Sequence, residues 1–343
     1  MSRSTMADVA REAGVSLTTV SHALNGKGRV DKNTRERIRA VAQELGFTPS
    51  RTARNLALGR SDTIGLVLSG QRSMPLAEHL ATDWYGRIVV GSSRAANARQ
   101  RALSVLPQIG SASEIAAYGL DGAIVLDPEP DDIRCAILDQ AQIPYVLLGN
   151  DPTRPTARRI VPDMNRAMEE LLDHFVEMGA RLPAVIAPGP DFSGSLPSVE
   201  AYRSWCHTHG RAPVIVYSDI SRSVTRDDMT AACQDAMIKL LSHQPGIDAV
   251  VGLFEGFGRG IILAADKLGR QVPGDLLVAQ DIDGADTQYA ATKITAIDLH
   301  PEELAAQAIA MLVDDPSHDD PHQRAVAATL KIRESTTRSS HKS

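Results

Sequence analysis

The chain has 343 residues, 43% hydrophobic and 23% charged, with a formal net charge of −6. That length exceeds one ordinary domain, and no apolar run of about 18 residues and no signal-peptide pattern is present, so a membrane span is excluded and a cytoplasmic location is expected. Cys135, Cys206 and Cys233 are odd in number and far apart, as reduced thiols rather than a disulfide framework would be.

Thr5 is placed to cap a first helix whose apolar positions Met6, Val9, Ala10 and Ala13 share one face. Gly14 suits a left-handed exit, Val15 fills the corner, and Ser16 caps a second helix, so residues 6–25 read as a helix-turn-helix. In that second helix Val20 and Leu24 point to the core. Leu17, Thr18, Ser21 and His22 are left facing outward, where small side chains and an imidazole suit base edges in a major groove. Asp31 or Asn33 caps a third helix with an apolar stripe of Ile38, Val41, Ala42 and Leu45, with Arg35, Arg37 and Arg39 wet and Gly46 at its end. A plain helical bundle is the competing interpretation of these segments.

Ser50 then caps Arg51 to Leu58, about two turns, which is too short to be helical alone in water. Leu56 among Arg51, Arg54 and Arg60 suits an apolar wedge in a minor groove; an Arg-rich linker is the alternative. Charge divides the chain in the same place. The first 60 residues hold 11 Lys and Arg against 5 Asp and Glu, or +6, leaving −12 on the remainder. A basic head attracts phosphates in a salt-dependent way and an acidic body is repelled by them.

From Thr63 onward, apolar runs alternate with helical stretches: 64–68, 102–106, 123–126, 145–148, 184–187, 214–217, 249–253 and 276–279. Such alternation predicts parallel sheets with crossover helices and ligand sites at the carboxyl ends of strands. Gly256-Phe-Gly-Arg-Gly260 lacks the full phosphate-loop pattern and reads as a helix start, and Cys206-His-Thr-His209 reads as a helix end rather than a metal site. No cofactor or metal is expected.

Asp8-Val-Ala-Arg-Glu-Ala-Gly-Val-Ser16, Thr19-Val-Ser-His-Ala-Leu-Asn-Gly26, Thr34-Arg-Glu-Arg37, Leu45-Gly-Phe-Thr-Pro49, Ala53-Arg-Asn-Leu-Ala57 and Thr63-Ile-Gly-Leu-Val67 together resemble the lactose repressor family of bacterial transcription regulators. A weaker match continues to Arg333-Glu-Ser-Thr336, similar to that family's closing strand. The resemblance implies an all-α helix-turn-helix headpiece on an α/β, two-lobed body like the periplasmic sugar-binding proteins, with crossings near Val161, Ala291 and His318. The boundaries expected are 1–46 for the headpiece, 47–60 for the hinge, 61–161 with about 292–318 for the first lobe, 162–291 with about 319–337 for the second, and 338–343 for a tail.

The function expected is that of a homodimeric repressor on a pseudo-palindromic, double-stranded DNA operator, controlled by a small-molecule effector. Leu17, Thr18 and His22 would read bases. Thr5, Ser16, Thr19, Ser21, Asn25 and Arg29 would lie along phosphates, while Leu56 wedges a central step and Arg51, Arg54 and Asn55 line the minor groove. Candidate effector residues are Trp84, Tyr85, Asn150, Asp163, Ser198, Phe254, Asp281 and Asp283.

Several of these depart from the family pattern: Ser198 stands where Arg is usual, Phe254 where Asn is usual, Ile282 where an Asp is usual, and His22 where Arg is more frequent. Losing the Arg fork and gaining apolar wall points away from a plain hexose toward a less polar or larger effector. A degenerate pocket is the alternative. Two other functions compete: a small-molecule-binding protein whose head docks a protein, and an enzyme using Asp281 and Asp283 or His207 and His209 as acid and base.

Overall fold

The computed structural model describes residues 4–25, 29–47, 61–68, 82–106, 108–190, 192–220, 225–315 and 322–338. The hinge residues Arg51, Arg54, Asn55 and Leu56 lie outside that set. Two compact units divide at Asp62 and Thr63.

In the first unit, α1 (Met6–Glu12) starts at a reciprocal cap. The Thr5 hydroxyl accepts from the Asp8 amide at 3.3 Å, and the Asp8 carboxylate accepts from the Thr5 amide at 2.9 Å. Gly14, at φ +62°, turns the chain toward α2 (Leu17–Asn25), whose first turn is held by the Thr19 amide donating to Ser16 Oγ at 3.1 Å. Asp31, not Asn33, caps α3 (Lys32–Glu44) by accepting from the Thr34 amide at 3.0 Å. Val9, Val20, Ala23 and Ile38 are fully buried between the three helices. Ala23 thus takes the inner position that spacing assigns to Leu24, which packs at the edge, and Arg35 is half-buried rather than wet.

The second unit carries two six-stranded sheets. The first contains β1 (Thr63–Val67), β2 (Ala102–Leu106), β3 (Gly122–Leu126), β4 (Tyr145–Leu148), β5 (Arg159–Pro162) and β11 (Gln323–Val326), ordered β11-β5-β4-β3-β1-β2 with every pair parallel. The second contains β6 (Pro183–Ala187), β7 (Ile215–Tyr217), β8 (Ala249–Gly252), β9 (Leu277–Gln280), β10 (Thr295–Asp298) and β12 (Thr329–Lys331), ordered β12-β10-β9-β8-β6-β7, antiparallel only at β10 and β12. In β1, β3, β4, β6, β8 and β9 near-continuous Val, Ile, Leu and Ala content suits strands covered on both faces. Helices α4 (Asp83–Ala98), α5 (Ala112–Ala117), α6 (Ile133–Gln140), α7 (Met164–Glu177), α8 (Leu196–Thr208), α9 (Arg226–His243), α10 (Phe257–Lys267), α11 (Ala285–Gln288) and α12 (Pro301–Val313) connect the strands.

Strand pairing corrects the lobe boundaries. The first crossing follows β5. The second follows Asp298 rather than Ala291, because β10 joins the second sheet before α12 packs on α4 of the first lobe. The third falls between Val326 and Thr329, because β11 pairs with β5; His318 lies outside the described residues. Residues 295–298 therefore belong to the second lobe and 323–326 to the first, the reverse of the sequence assignment. The segment at Arg333–Thr336 is no strand: Glu334–Thr336 is a 3-10 turn, with Ser335 Oγ donating to the Val278 carbonyl at 2.6 Å.

Two close contacts hold the first lobe. A Cβ on Gly91 would lie 2.6 Å from the Glu302 backbone, so glycine is what lets α12 approach α4. Beneath the strand ends, Arg134 is buried and donates to the carbonyls of Leu68 at 2.7 Å, Leu126 at 2.9 Å and Asp127 at 3.1 Å, while pairing with Asp132 at 2.5 Å. Burial pulls the Asp132 carboxyl up, but the Arg134 fork prevails and holds it below the usual carboxylate range. Arg134→Ala, which leaves Asp132 buried and unpaired, is expected to cost about 3–5 kcal/mol of stability in urea denaturation. A loss below about 1 kcal/mol, the range of an exposed pair, would contradict this account.

Candidate effector cleft and nucleic-acid interface

In both sheets the strand order reverses next to the first strand, β1 between β2 and β3 and β6 between β7 and β8, and such switch points leave a crevice at the carboxyl ends. A cavity of about 680 Å³ lies there between the lobes. Asp127, Asn150 and Asp163 enter it from the ends of β3, β4 and β5, and Phe254 and Asp281 from the ends of β8 and β9.

Of the sequence candidates, Trp84, Tyr85, Asn150, Asp163, Phe254 and Asp281 line this cavity. Trp84 and Tyr85 sit in the first turn of α4, where the Tyr85 amide donates to the capping Thr82 hydroxyl at 3.4 Å. The Tyr85 hydroxyl donates to Asp127 at 2.8 Å, a carboxyl that burial raises above its ordinary value. Asp163 also caps α7, accepting from the Arg166 amide at 3.4 Å.

Ser198 and Asp283 do not reach the cavity wall. Ser198 is fully buried behind it and donates to Asp281 at 2.7 Å, so it orients that carboxylate. Asp283 is occupied by Arg333, which donates to its two oxygens at 2.8 Å each. Burial raises the Asp283 carboxyl, but the Arg333 fork outweighs it and keeps the group low, as a structural ion pair between β9 and the C-terminal segment.

Three further lining residues were not among the sequence candidates. Phe192 meets Phe254 edge-on with ring centroids 5.5 Å apart, Arg159 at the start of β5 donates to Gln323 at 2.9 Å, and Glu255 bridges the lobes. The buried Glu255 accepts from the Asp83 amide at 3.2 Å, across the cleft at the positive end of α4, and pairs with Arg226 on its own lobe. Burial pushes it up to about 7 despite Arg226. Asp281 is likewise pushed up to about 7 by burial, against the Ser198 hydrogen bond.

Gly256-Phe-Gly-Arg-Gly260 is the helix start expected of it, used for close packing. Gly256 starts α10 at φ +90°, and a Cβ on Gly260 would lie 2.7 Å from the Thr230 carbonyl. At the end of α8, Cys206 is buried and His209 stacks on Trp205 at 4.3 Å. Among the described residues, no helix is long and apolar enough to cross a membrane.

On the headpiece, Leu17 is 53% exposed and Thr18 is exposed beside it, while Thr19, Ser21 and His22 are half-buried along the flank of α2. An apolar side chain that open to water at the start of a helix has no packing role, and the groove-facing surface of a recognition helix needs such residues. Thr5, Ser16 and Arg29 are exposed, and Asn25 ends α2.

Residues 5–50 match the model of bacterial regulatory proteins of the lacI family, and residues 172–336 match that of the periplasmic binding protein-like domain. The HTH-type transcriptional regulator CelR of Thermobifida fusca is 28% identical, the match covering 97% of this chain and 98% of that protein. The maltose regulon regulatory protein MalI of Escherichia coli K12 is 29% identical over 78% of this chain and 76% of that protein. Among solved structures, a CelR–cellobiose complex matches with a TM-score of 0.69 at 25% identity, covering 97% of this chain and all of that one. The lac repressor dimer bound to operator matches in fold, with a TM-score of 0.77 at 21% identity over 98% of this chain and 99% of that one.

Asp281 and Glu255 titrate near 7 in the folded protein against about 4 for free carboxyls, so between those values the folded state holds more protons than the unfolded chain. Their contribution to stability is therefore present at low pH and is lost as pH rises through about 7. In melting curves taken at a series of pH values, Asp281→Asn should gain on the wild type as pH rises toward neutrality. A difference in Tm that stays flat, or shrinks, would count against a desolvated Asp281.

Proposed function

The chain belongs to the lacI family of bacterial regulatory proteins and is an HTH-type transcriptional regulator, and from that premise we propose that it is a homodimeric repressor whose operator affinity is set by a ligand in the interlobe cavity. The observation that carries this reading is the joining, in one chain, of an exposed α2 surface on a basic head with a cavity at the carboxyl ends of two parallel sheets.

On DNA, Leu17, Thr18 and His22 read base edges of each half-site, and Thr5, Ser16, Thr19, Ser21, Asn25 and Arg29 set the register along the phosphates. Leu56 from both subunits wedges the central step, with Arg51, Arg54 and Asn55 in the minor groove. Two-fold symmetry of the protein then matches a pseudo-palindrome.

The effector is less polar or larger than a hexose. The chain has 13 aromatic residues, and Trp84, Tyr85, Phe192 and Phe254 surround this one cavity, which supports a ligand with flat apolar faces. The cellobiose held by a protein of the same fold supports disaccharide size. Glu255 of the second lobe, bonded to the Asp83 amide in the first turn of α4, joins the lobes directly, so a ligand that prefers one lobe angle shifts the population of regulator states.

Selection of bound duplexes from a random pool is expected to return a pseudo-palindrome. On that site, Thr18→Ala and Leu17→Ala should each weaken binding by about 1–3 kcal/mol in fluorescence anisotropy. Wild-type affinity in both variants, together with an unchanged Leu56→Ala, would refute the DNA interface. In a thermal-shift panel, a true effector at 100 times its Kd should add about 2.7 kcal/mol; a response restricted to simple hexoses would refute the apolar reading of the cleft.

A further inference from the structure

The walls of the interlobe cavity are out of charge balance. Asp127, Asp163, Glu200, Glu255 and Asp281 line it against Arg159 as the one basic residue, among the described residues. Four of these acids have other employment. Glu255 pairs with Arg226, Asp127 accepts from Tyr85, Asp163 caps α7, and Glu200 is exposed with Arg203 at 3.8 Å.

Asp281 differs from them. It is 6% exposed, its Oδ2 accepts from the neutral Ser198 hydroxyl, and among the described residues no cation forms an ion pair with it. A carboxylate shut away from water without a cation is costly, which agrees with the upward push that burial gives this group. A second group lining the cavity is also short of a partner: Ser193 Oγ is buried with no hydrogen bond among the described residues. Trp84, Phe192 and Phe254 line the same cavity.

A neutral polyol leaves the Asp281 charge uncompensated or keeps the group protonated. An anion, such as a sugar phosphate or a uronate, adds repulsion. An ammonium removes the deficit, because it brings a positive charge and up to three donors to a carboxylate, a hydroxyl and aromatic faces that attract cations. Resting on the effector-site reading above, we propose that the cleft selects a cationic ligand, a protonated amine on a neutral sugar-sized or aromatic skeleton, with its nitrogen against Asp281 and its apolar faces on the aromatic wall.

The test uses the full-length protein and three probes of one skeleton in isothermal titration calorimetry: cellobiose, the β-1,4-linked disaccharide of glucosamine, and the N,N′-diacetyl form of the latter. The amino disaccharide is expected to bind at least about tenfold tighter than either neutral probe, the equivalent of one charge-assisted hydrogen bond. Asp281→Asn is expected to erase that preference, and should it fail to fold, the ranking of the three probes on the wild type decides alone. Equal affinities, a preference for either neutral probe, a preference that survives in Asp281→Asn, or no binding of any probe would overturn the proposal. Operator affinity of the wild type, measured on the same preparation, separates the two readings: bound operator without the amine preference removes the cationic ligand only, whereas loss of both removes the regulator as well.

Discussion

Parallel strand pairing is the constraint on which the body of this protein depends. It sends the carboxyl ends of neighbouring strands to one side of each sheet, so the loops after β3, β4 and β5 and those after β8 and β9 open toward the same crevice. Those ends also leave carbonyls that no further residue of the strand can satisfy. In the first lobe Arg134 meets that need for Leu68, Leu126 and Asp127 with a single buried guanidinium, and Asp132 keeps the guanidinium in balance. The floor beneath Tyr85 and Asp127 is therefore held by hydrogen bonds that a lysine could not reproduce, because only a planar fork presents donors in that many fixed directions.

The same economy of charge separates structural from ligand-facing carboxylates in the second lobe. Asp281 and Asp283 lie two residues apart, yet Asp283 meets the Arg333 fork and is locked into the C-terminal segment while Asp281, among the described residues, meets only the Ser198 side chain. One is a rivet and the other stands ready for a partner. Glu255 occupies a third position, bonded to its own lobe through Arg226 and to the other through the amide at the start of α4. Because that amide belongs to the turn carrying Trp84 and Tyr85, lobe angle and the shape of the aromatic wall are tied by one carboxylate. A ligand pressing on either must act on both, which is the physical basis for treating the cleft as a control element.

Six of the eight apolar runs fall on β1, β3, β4, β6, β8 and β9, which lie inside their sheets, and the other two fall on the edge strands β2 and β7, whose residues are apolar although partly exposed. β5, β10, β11 and β12 escaped that reading. Arg159 and Pro162 in β5, Gln323 and Arg324 in β11 and Lys331 in β12 break the pattern on partly exposed strands, whereas β10 is buried but too polar at Thr295 and Asp298 to show as an apolar run. With them went the lobe boundaries: a crossing is defined by which sheet a strand joins, and pairing partners such as β5 and β11 lie about 160 residues apart.

What the amino-acid order determined by itself is local: the caps at Thr5, Ser16 and Asp31, the turn at Gly14, the outward face of α2, the alternation of strand and helix, and the motifs that carry the family. Each follows from neighbours within a few residues, where backbone sterics and side-chain hydrogen bonds act without help. Only the tertiary structure decided that Ser198 stands behind the wall, that Asp283 is spoken for by Arg333, that Phe192 completes the aromatic lining, and that Glu255 reaches the amide of Asp83. Those outcomes rest on which charge finds which partner across 50 to 172 residues of chain, and burial then sets the cost of every charge that finds none.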